Sequence, residues 1–341
     1  MFVSRKSFPL PVVLLAVLMG MASVVFAEEK ATSAATPATK KIPEFVLGPP
    51  SFENGRAFRE LADHPEQWEK VREKMGALLY ADHRIQEQFP DDAELTAIFR
   101  KYREIGVTLQ MNVGAVKPWG KTGKECFDKQ KPKWERFLRC GAVIDGIAID
   151  EPYTCCKAHI EKDFDDAVEE TAEFIGMVRK DYPDWVIGVI ECYPYFSAEE
   201  LIRWVDVLED RLKQKGTRGL DFFCVDTNWM HFVHDTGKGN WRGLKQVENH
   251  CRAKKLPFSV IYWSAAYPFL ESKREVDDAA WYAGVMQMAY DYATVDGRPD
   301  QIVVQSWVNG PKKIIPESES YTFTRSALDV AERFVIEEPK K

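Results

Sequence analysis

Two adjacent carboxylates, Asp150 and Glu151, end the apolar run Ile144-Asp145-Gly146-Ile147-Ala148-Ile149 and are followed by Pro152 and Tyr153. Neighbouring anions repel, so they are held together by a proton, a cation or a substrate, and each raises the other's pKa. A carboxylic acid beside a carboxylate is the equipment of glycoside hydrolysis. One group protonates the leaving oxygen, and the second acts as nucleophile, base or charge stabiliser. The pattern of apolar run, acid and aromatics recurs in Ile190-Glu191-Cys192-Tyr193-Pro194-Tyr195 and in Cys224-Val225-Asp226-Thr227-Asn228-Trp229. Glu151 is the expected general acid/base, with Asp150, Asp226 or Glu191 as its partner. The structural alternative is that Asp150 or Glu151 caps the next helix or pairs with Lys157.

Acids in such places need rigid elements to position them. Eight apolar, β-type runs recur along the chain: Phe45–Leu47, Ala77–Tyr80, Val107–Val113, Ile144–Ile149, Trp185–Ile190, Leu220–Val225, Phe258–Trp263 and Ile302–Gln305. Buried parallel strands read as nearly continuous apolar runs. Helical patterns lie between them. Asp91-x-x-Glu94 and Ser197-x-x-Glu200 are capping-box starts. Helical stretches are also expected over Phe164–Asp181, Trp241–Ala253, Asp277–Tyr292 and Tyr321–Val335. Eight β/α alternations close naturally into a (β/α)8 barrel, with chemistry at the carboxyl ends of the strands. An open doubly wound sheet would call for a Gly-rich phosphate turn, which the sequence lacks. Period-two alternation puts Gly146, Ala148 and Asp150 on one strand face and Ile147 and Ile149 on the other. The bulky aliphatics suit the helix-facing side, so Asp150 is expected inside the barrel and Glu151 at its mouth. The loops after the third strand, holding Trp119 and Cys126, and after the sixth, Thr227–Asn240, are long enough to serve as lids.

Aromatics gather at the same strand ends. Tyr153, Tyr193, Trp229, Tyr262, Trp263 and Trp307 are expected to line a sugar site, since flat rings with polar tips suit the faces and hydroxyl edges of sugars. Asn112 shares a strand face with Gln110 and is a candidate substrate contact. Trp134, Trp185, Trp204 and Trp281 fall in or beside helical stretches and are expected in the core. After the second strand, Asp82 is positioned to orient His83.

These features resemble secreted barrel glycoside hydrolases over essentially the whole mature length. Asp150-Glu151 is similar to the adjacent Asp-Glu pair of family 20 hexosaminidases. Asp145-Gly146-Ile147 with its terminal Glu resembles chitinase-type strands more distantly. Trp307 is similar to the tryptophan that floors the sugar site in those families. Asp150 with Asp226 resembles the α-galactosidase-like pattern instead. The spaced-aspartate signature of chitinases is missing. The seventh strand, Val260-Ile261-Tyr262-Trp263-Ser264, lacks the nucleophilic glutamate of the large retaining Glu-Glu clan. The resemblance implies a glycosidase acting on extracytoplasmic poly- or oligosaccharide, with no cofactor and no metal.

Composition is consistent with that. The 341 residues carry 46 basic and 53 acidic side chains, a net charge of −7. An acidic chain without a basic cluster is a poor partner for nucleic acid or anionic lipid. Arg5 and Lys6, the apolar run Val12–Phe26 and the small-residue pattern Val25-x-Ala27 read as a signal peptide over residues 1–27. Residues 28–42 read as a flexible tether and 43–338 as the barrel, secreted or periplasmic. Seven cysteines make one odd thiol. A disulfide from Cys126 or Cys192 to Cys155 or Cys156 is expected. Two rival functions share these residues. A metal-dependent sugar isomerase-like barrel would use Asp150, Glu191 and Asp226 with His231 or His234 as ligands. A carbohydrate-binding barrel without catalysis would keep the aromatics and dispense with the acids.

Overall fold

The computed structural model describes residues 41–228, 231–232, 239–263 and 277–335. The expected leader and residues 28–40 of the expected tether lie outside them. Each of the eight expected runs forms a strand: β1 Phe45–Gly48, β2 Ala77–Ala81, β3 Leu109–Val113, β4 Ile144–Asp150, β5 Val186–Tyr193, β6 Phe222–Thr227, β7 Phe258–Tyr262 and β8 Gln301–Gln305. All pair in parallel in chain order, and β1 with β8 closes the barrel.

Among the described residues the main α-helices are α1 Arg56–Asp63, α2 Glu69–Lys74, α3 Asp82–Gln88, α4 Asp92–Glu104, α5 Gly123–Arg139, α6 Pro152–Cys155, α7 Phe164–Asp181, α8 Ala198–Gln214, α9 Trp241–Ala253, α10 Asp278–Thr294 and α11 Phe323–Phe334. Their starts follow from capping chemistry. Asp91 accepts from the Glu94 amide at 2.8 Å. Ser197 and Glu200 exchange reciprocal bonds at 2.8 and 3.1 Å. Helix α5 corrects one expectation. Cys126 and Trp134 are buried on it, so the loop after β3 is shorter than the sequence suggested and Cys126 is no part of a lid. Pro132 inside α5 hides the helical pattern, because proline is costly in a helix interior. Among the described residues no helix is long and apolar enough to cross a membrane.

Register fixes which side chains enter the barrel. Paired rows run Asn112–Ala148, Ala148–Gly188, Asp150–Ile190, Ile190–Cys224 and Cys192–Asp226. Cα partners in a parallel sheet point the same way, so Asp150, Cys192 and Asp226 face inward as alternation required. Glu191, one residue out of phase, faces the helices. Small residues make room for a large one: a Cβ on Gly188 would come within 2.2 Å of the Phe222 ring. Phe222 therefore fills the barrel interior beneath the mouth through the space that Gly188 leaves. Gly188→Ala is expected to displace that ring and cost about 1–3 kcal/mol, as overpacked cores do. Denaturant unfolding checks it, and an unchanged midpoint would show that Phe222 has room to retreat.

Candidate active site

The end of β4 is a junction of opposite charges. Lys117 reaches in from the loop after β3 and donates to Asp150 Oδ2 at 2.6 Å, while Asn112 Nδ2 donates to Oδ1 at 3.3 Å. The Lys117 ammonium also lies 3.3 Å from Cys155 Sγ. Two backbone bonds exchanged between Lys117 and Gly120, each 2.9 Å, hold the loop in place. Burial alone would raise the Asp150 carboxyl, but Lys117 and then Asn112 overcome it and hold the group below the usual range. Lys117 is raised: burial would lower it, and Asp150 outweighs that. Asp150 is thus a standing anion and Lys117 a standing cation. The alternative partner Lys157 instead lies 3.5 Å from Glu200.

Glu151 takes a backbone shape that few side chains accept, with φ 47° and ψ 51°. Pro152 behind it already disfavours the right-handed helical region. Its carbonyl accepts from the Cys155 amide at 2.8 Å, which starts α6. A strained residue of this kind persists only where its surroundings hold it, and such residues cluster at working sites. The Cys192 thiol donates to Glu151 Oε1 at 2.7 Å. Burial, then the Asp150 charge, pushes the Glu151 carboxyl up.

Glu191 is the acid that does not join them. It is fully buried on the helix-facing side of β5. It accepts from the Tyr153 amide at 2.7 Å, the Thr154 amide at 3.1 Å and the Thr154 hydroxyl at 2.8 Å. Burial pushes its carboxyl up to about 8 against these donors, which converge as they would on a carboxylate. Glu191 therefore anchors the first turn of α6 and holds Glu151 in its left-handed conformation. The structure corrects its candidacy as a catalytic group: it lies behind the site, not in it.

Asp226 faces inward across the mouth. Burial pushes its carboxyl well up, Glu151 and Asp150 push it further, and the Trp263 indole opposes them. Two lobes open over the barrel end and share Glu151, Asp226 and Trp307. One, of about 450 Å³, is walled by Tyr193, Pro194, Tyr195, Trp263 and Trp307. The other, of about 590 Å³, is walled by Asn112, His83, Arg84, His159 and Gln305 among others. A third cavity, of about 610 Å³, lies at the opposite end of the barrel, where Lys41, Asp221, Arg252 and Arg298 meet. It holds none of the strand-end acids, and barrel chemistry belongs at the carboxyl ends of the strands.

The aromatic expectations divide. Trp307 lines both lobes and leans on Trp263, with ring centroids 4.5 Å apart at 43°. Trp263 is almost wholly buried and donates to the Thr227 carbonyl at 2.9 Å, so it braces the wall more than it presents a surface. Tyr193 walls the aromatic lobe, but its hydroxyl is engaged on both sides by the backbone of Asn240, at 2.9 and 3.0 Å. Tyr153 and Tyr262 are corrected as sugar contacts. Tyr153 stacks on Phe196 at 4.0 Å and on Trp204 at 5.2 Å between helices. Tyr262 lies buried on the outer face of β7. Trp229 and His234 lie outside the described residues. The core tryptophans Trp134, Trp204 and Trp281 are fully buried. Asp82 is held by the Trp134 indole at 3.1 Å, nearer than His83 at 3.9 Å, and so braces α5 more than it orients the histidine. All seven cysteines are free thiols, which corrects the expected disulfide. The sequence reading missed Lys117, a lone lysine in a loop whose pattern carries no signal, and it weighed Cys192 only as half of a disulfide.

No family model and no curated protein matches the chain. Solved structures do. An aldolase, QR15, is 14% identical, with 88% of this chain and 96% of that chain covered and a TM-score of 0.44. A glucosidase from Croceicoccus marinus is 13% identical, with 79% and 62% covered and a TM-score of 0.45. Malate synthase from Haloferax volcanii is 11% identical, with 89% and 72% covered and a TM-score of 0.48. At such identities the likeness is one of fold alone. The class defined by the closed, parallel strand order is the (β/α)8 barrel.

If Glu191 is the carboxylate anchor of α6, Glu191→Gln turns an acceptor into an amide donor facing backbone N–H groups. A loss of about 1–3 kcal/mol is expected, the cost of a buried donor left unsatisfied. Thermal unfolding measures it, and an unchanged melting temperature would mean that the anchor is dispensable.

Proposed function

We propose that the chain is a glycoside hydrolase whose working carboxyl pair is Glu151 and Asp226, with Asp150 as a fixed charge beside them. One observation carries this reading: Glu151 and Asp226 stand together where the two lobes of the cleft meet, and both carboxyls are pushed up beside an ionised Asp150. Two such groups titrate as a unit, and between their two steps the pair holds one proton. One acid and one anion flanking a bond is what glycoside cleavage requires. The surroundings favour Asp226 as the holder of the proton. Glu151 accepts a thiol hydrogen bond and feels the Lys117 charge, both of which favour its anion. Asp226 has only the Trp263 indole to oppose burial and two nearby anions. This ordering reverses the sequence expectation, in which Glu151 was the acid.

In this reading the Asp226 carboxyl protonates the departing glycosidic oxygen. Glu151 attacks the anomeric carbon or takes the proton of an attacking water. Asp150 stabilises the positive charge that builds up on the sugar ring. The substrate is a poly- or oligosaccharide, met outside the cytoplasm if residues 1–27 are a leader.

A metal-dependent isomerase is the second reading. Asp150 already carries an ammonium at 2.6 Å, where that chemistry would want a divalent cation. Among the described residues no three His, Cys, Asp or Glu side chains are gathered as a metal-binding set. Lys117 also bears on Schiff-base chemistry. A lysine nucleophile needs a lowered pKa, and this one is raised.

Glu151→Gln and Asp226→Asn are each expected to lower kcat on a natural glycan about 10²–10⁴-fold, the usual worth of a positioned acid or base. Activity needs the proton on Asp226, so kcat/KM should fall as pH rises through that group's raised pKa, above the ordinary carboxylate value of about 4. Aryl glycosides, whose leaving group needs no proton, should restore turnover in Asp226→Asn and not in Glu151→Gln. Rescue of Glu151→Gln instead would return the proton to Glu151. Full activity in both variants would overturn the assignment of Glu151 and Asp226 as the working pair.

A further inference from the structure

The two lobes that meet at Glu151 and Asp226 differ in chemistry. One is walled by aromatic rings, and the other carries Arg84 and two histidines, His83 and His159, beside the amides of Asn112 and Gln305. Of these side chains Arg84 carries the fixed positive charge, while burial lowers the pKa of the His83 imidazole. Arg84 and His83 follow directly on the buried Asp82 at the start of α3, so their backbone is fixed where β2 ends. Arg84 pairs with Glu87 at 3.2 Å, with both side chains roughly half exposed. An exposed ion pair of this kind is worth little, so the guanidinium is readily turned to a ligand. The anions facing the same lobe are Asp150, Glu151 and Asp226. Asp150 is neutralised by Lys117.

We infer that the polar lobe receives a sugar unit bearing an anionic group, a uronate carboxylate or a sulfate ester, with Arg84 as its principal contact. The inference rests on the glycosidase reading and names the substrate class for the same site. The Glu151 anion disfavours a substrate anion at the cleaved bond, and Arg84 favours one in the polar lobe, where its planar guanidinium can hold two oxygens at once. The imidazoles of His83 and His159 and the amides of Asn112 and Gln305 supply hydrogen bonds for the ring hydroxyls. The aromatic lobe then takes the unit on the other side of the cleaved bond by stacking. Charge at one end and rings at the other give the substrate a single direction in the cleft.

The test is an array of neutral, carboxylated and sulfated oligosaccharides, probed with the full chain carrying Asp226→Asn so that bound glycans persist. Binding is expected mainly to anionic glycans, and the carboxylated and sulfated sets tell the two groups apart. Adding Arg84→Gln should weaken that binding about tenfold or more, as loss of a charge-assisted bond does. Arg84→Lys should retain an intermediate affinity. Neutral glycans bound as well as anionic ones, or binding indifferent to Arg84, would overturn the inference and leave the glycosidase reading standing. No binding to any class of glycan would overturn both.

Discussion

An ammonium 2.6 Å from a carboxylate at the end of β4 holds that carboxylate ionised, and the carboxylate's charge adds to burial in raising the two acids beside it. Without Lys117, three carboxyls would crowd one barrel mouth, and burial would drive protons onto them. With it, Asp150 is fixed as an anion, and its charge falls on Glu151 and Asp226, which cannot both ionise easily beside it. In the proposed reading the ion pair turns a cluster of acids into an ordered set, with one charge that stays and one proton shared by the two groups whose carboxyls are pushed up. That is how neighbouring carboxyls come to play different parts within a single site.

The scaffold serves this arrangement in layers. Barrel register aims Asp150 and Asp226 inward from β4 and β6, with Cys192 in the row between them. The strained turn at Glu151 carries the second acid past the strand end and over the mouth. Behind it, Glu191 gathers two amides and a hydroxyl, and the strain is held by a buried anchor. The Tyr153–Phe196–Trp204 stack fills the space outside that anchor. The acid exposed to the cleft and the acid hidden behind it are therefore one construction, and the second explains how the first keeps its conformation.

The fold was legible because it is written in repeated patterns. Apolar runs bounded by capping boxes such as Ser197-x-x-Glu200 name both a strand and the helix that follows. Alternation also placed Asp150 inside. The same rule applied to β5 would have turned Glu191 outward, since Ile190 and Cys192 occupy the inner face. The pattern of acid after apolar run outweighed phase in that reading. Tyr153 and Tyr262 misled for a related reason, because an aromatic at a strand end packs under a helix as readily as it faces a cleft. Lys117 was illegible on physical grounds. Its role comes from a loop turn closed by Gly120 and from a partner 33 residues away, neither of which leaves a periodic trace. Helix α5 was hidden by Pro132 in its interior.

The central claim is that Asp226 keeps a proton at neutral pH because burial, and then the charges of Glu151 and Asp150, disfavour its anion, while Lys117 holds Asp150 ionised. Difference infrared spectroscopy of the carboxylic-acid C=O band tests it directly, with Asp226→Asn as the reference that isolates this group. The account predicts a band component at neutral pH that disappears in Asp226→Asn. It also predicts a larger carboxylic-acid signal in Lys117→Met, where Asp150 loses its cation and takes up a proton. A neutral-pH spectrum unchanged by Asp226→Asn, or a Lys117→Met spectrum identical to that of the parent, would contradict it.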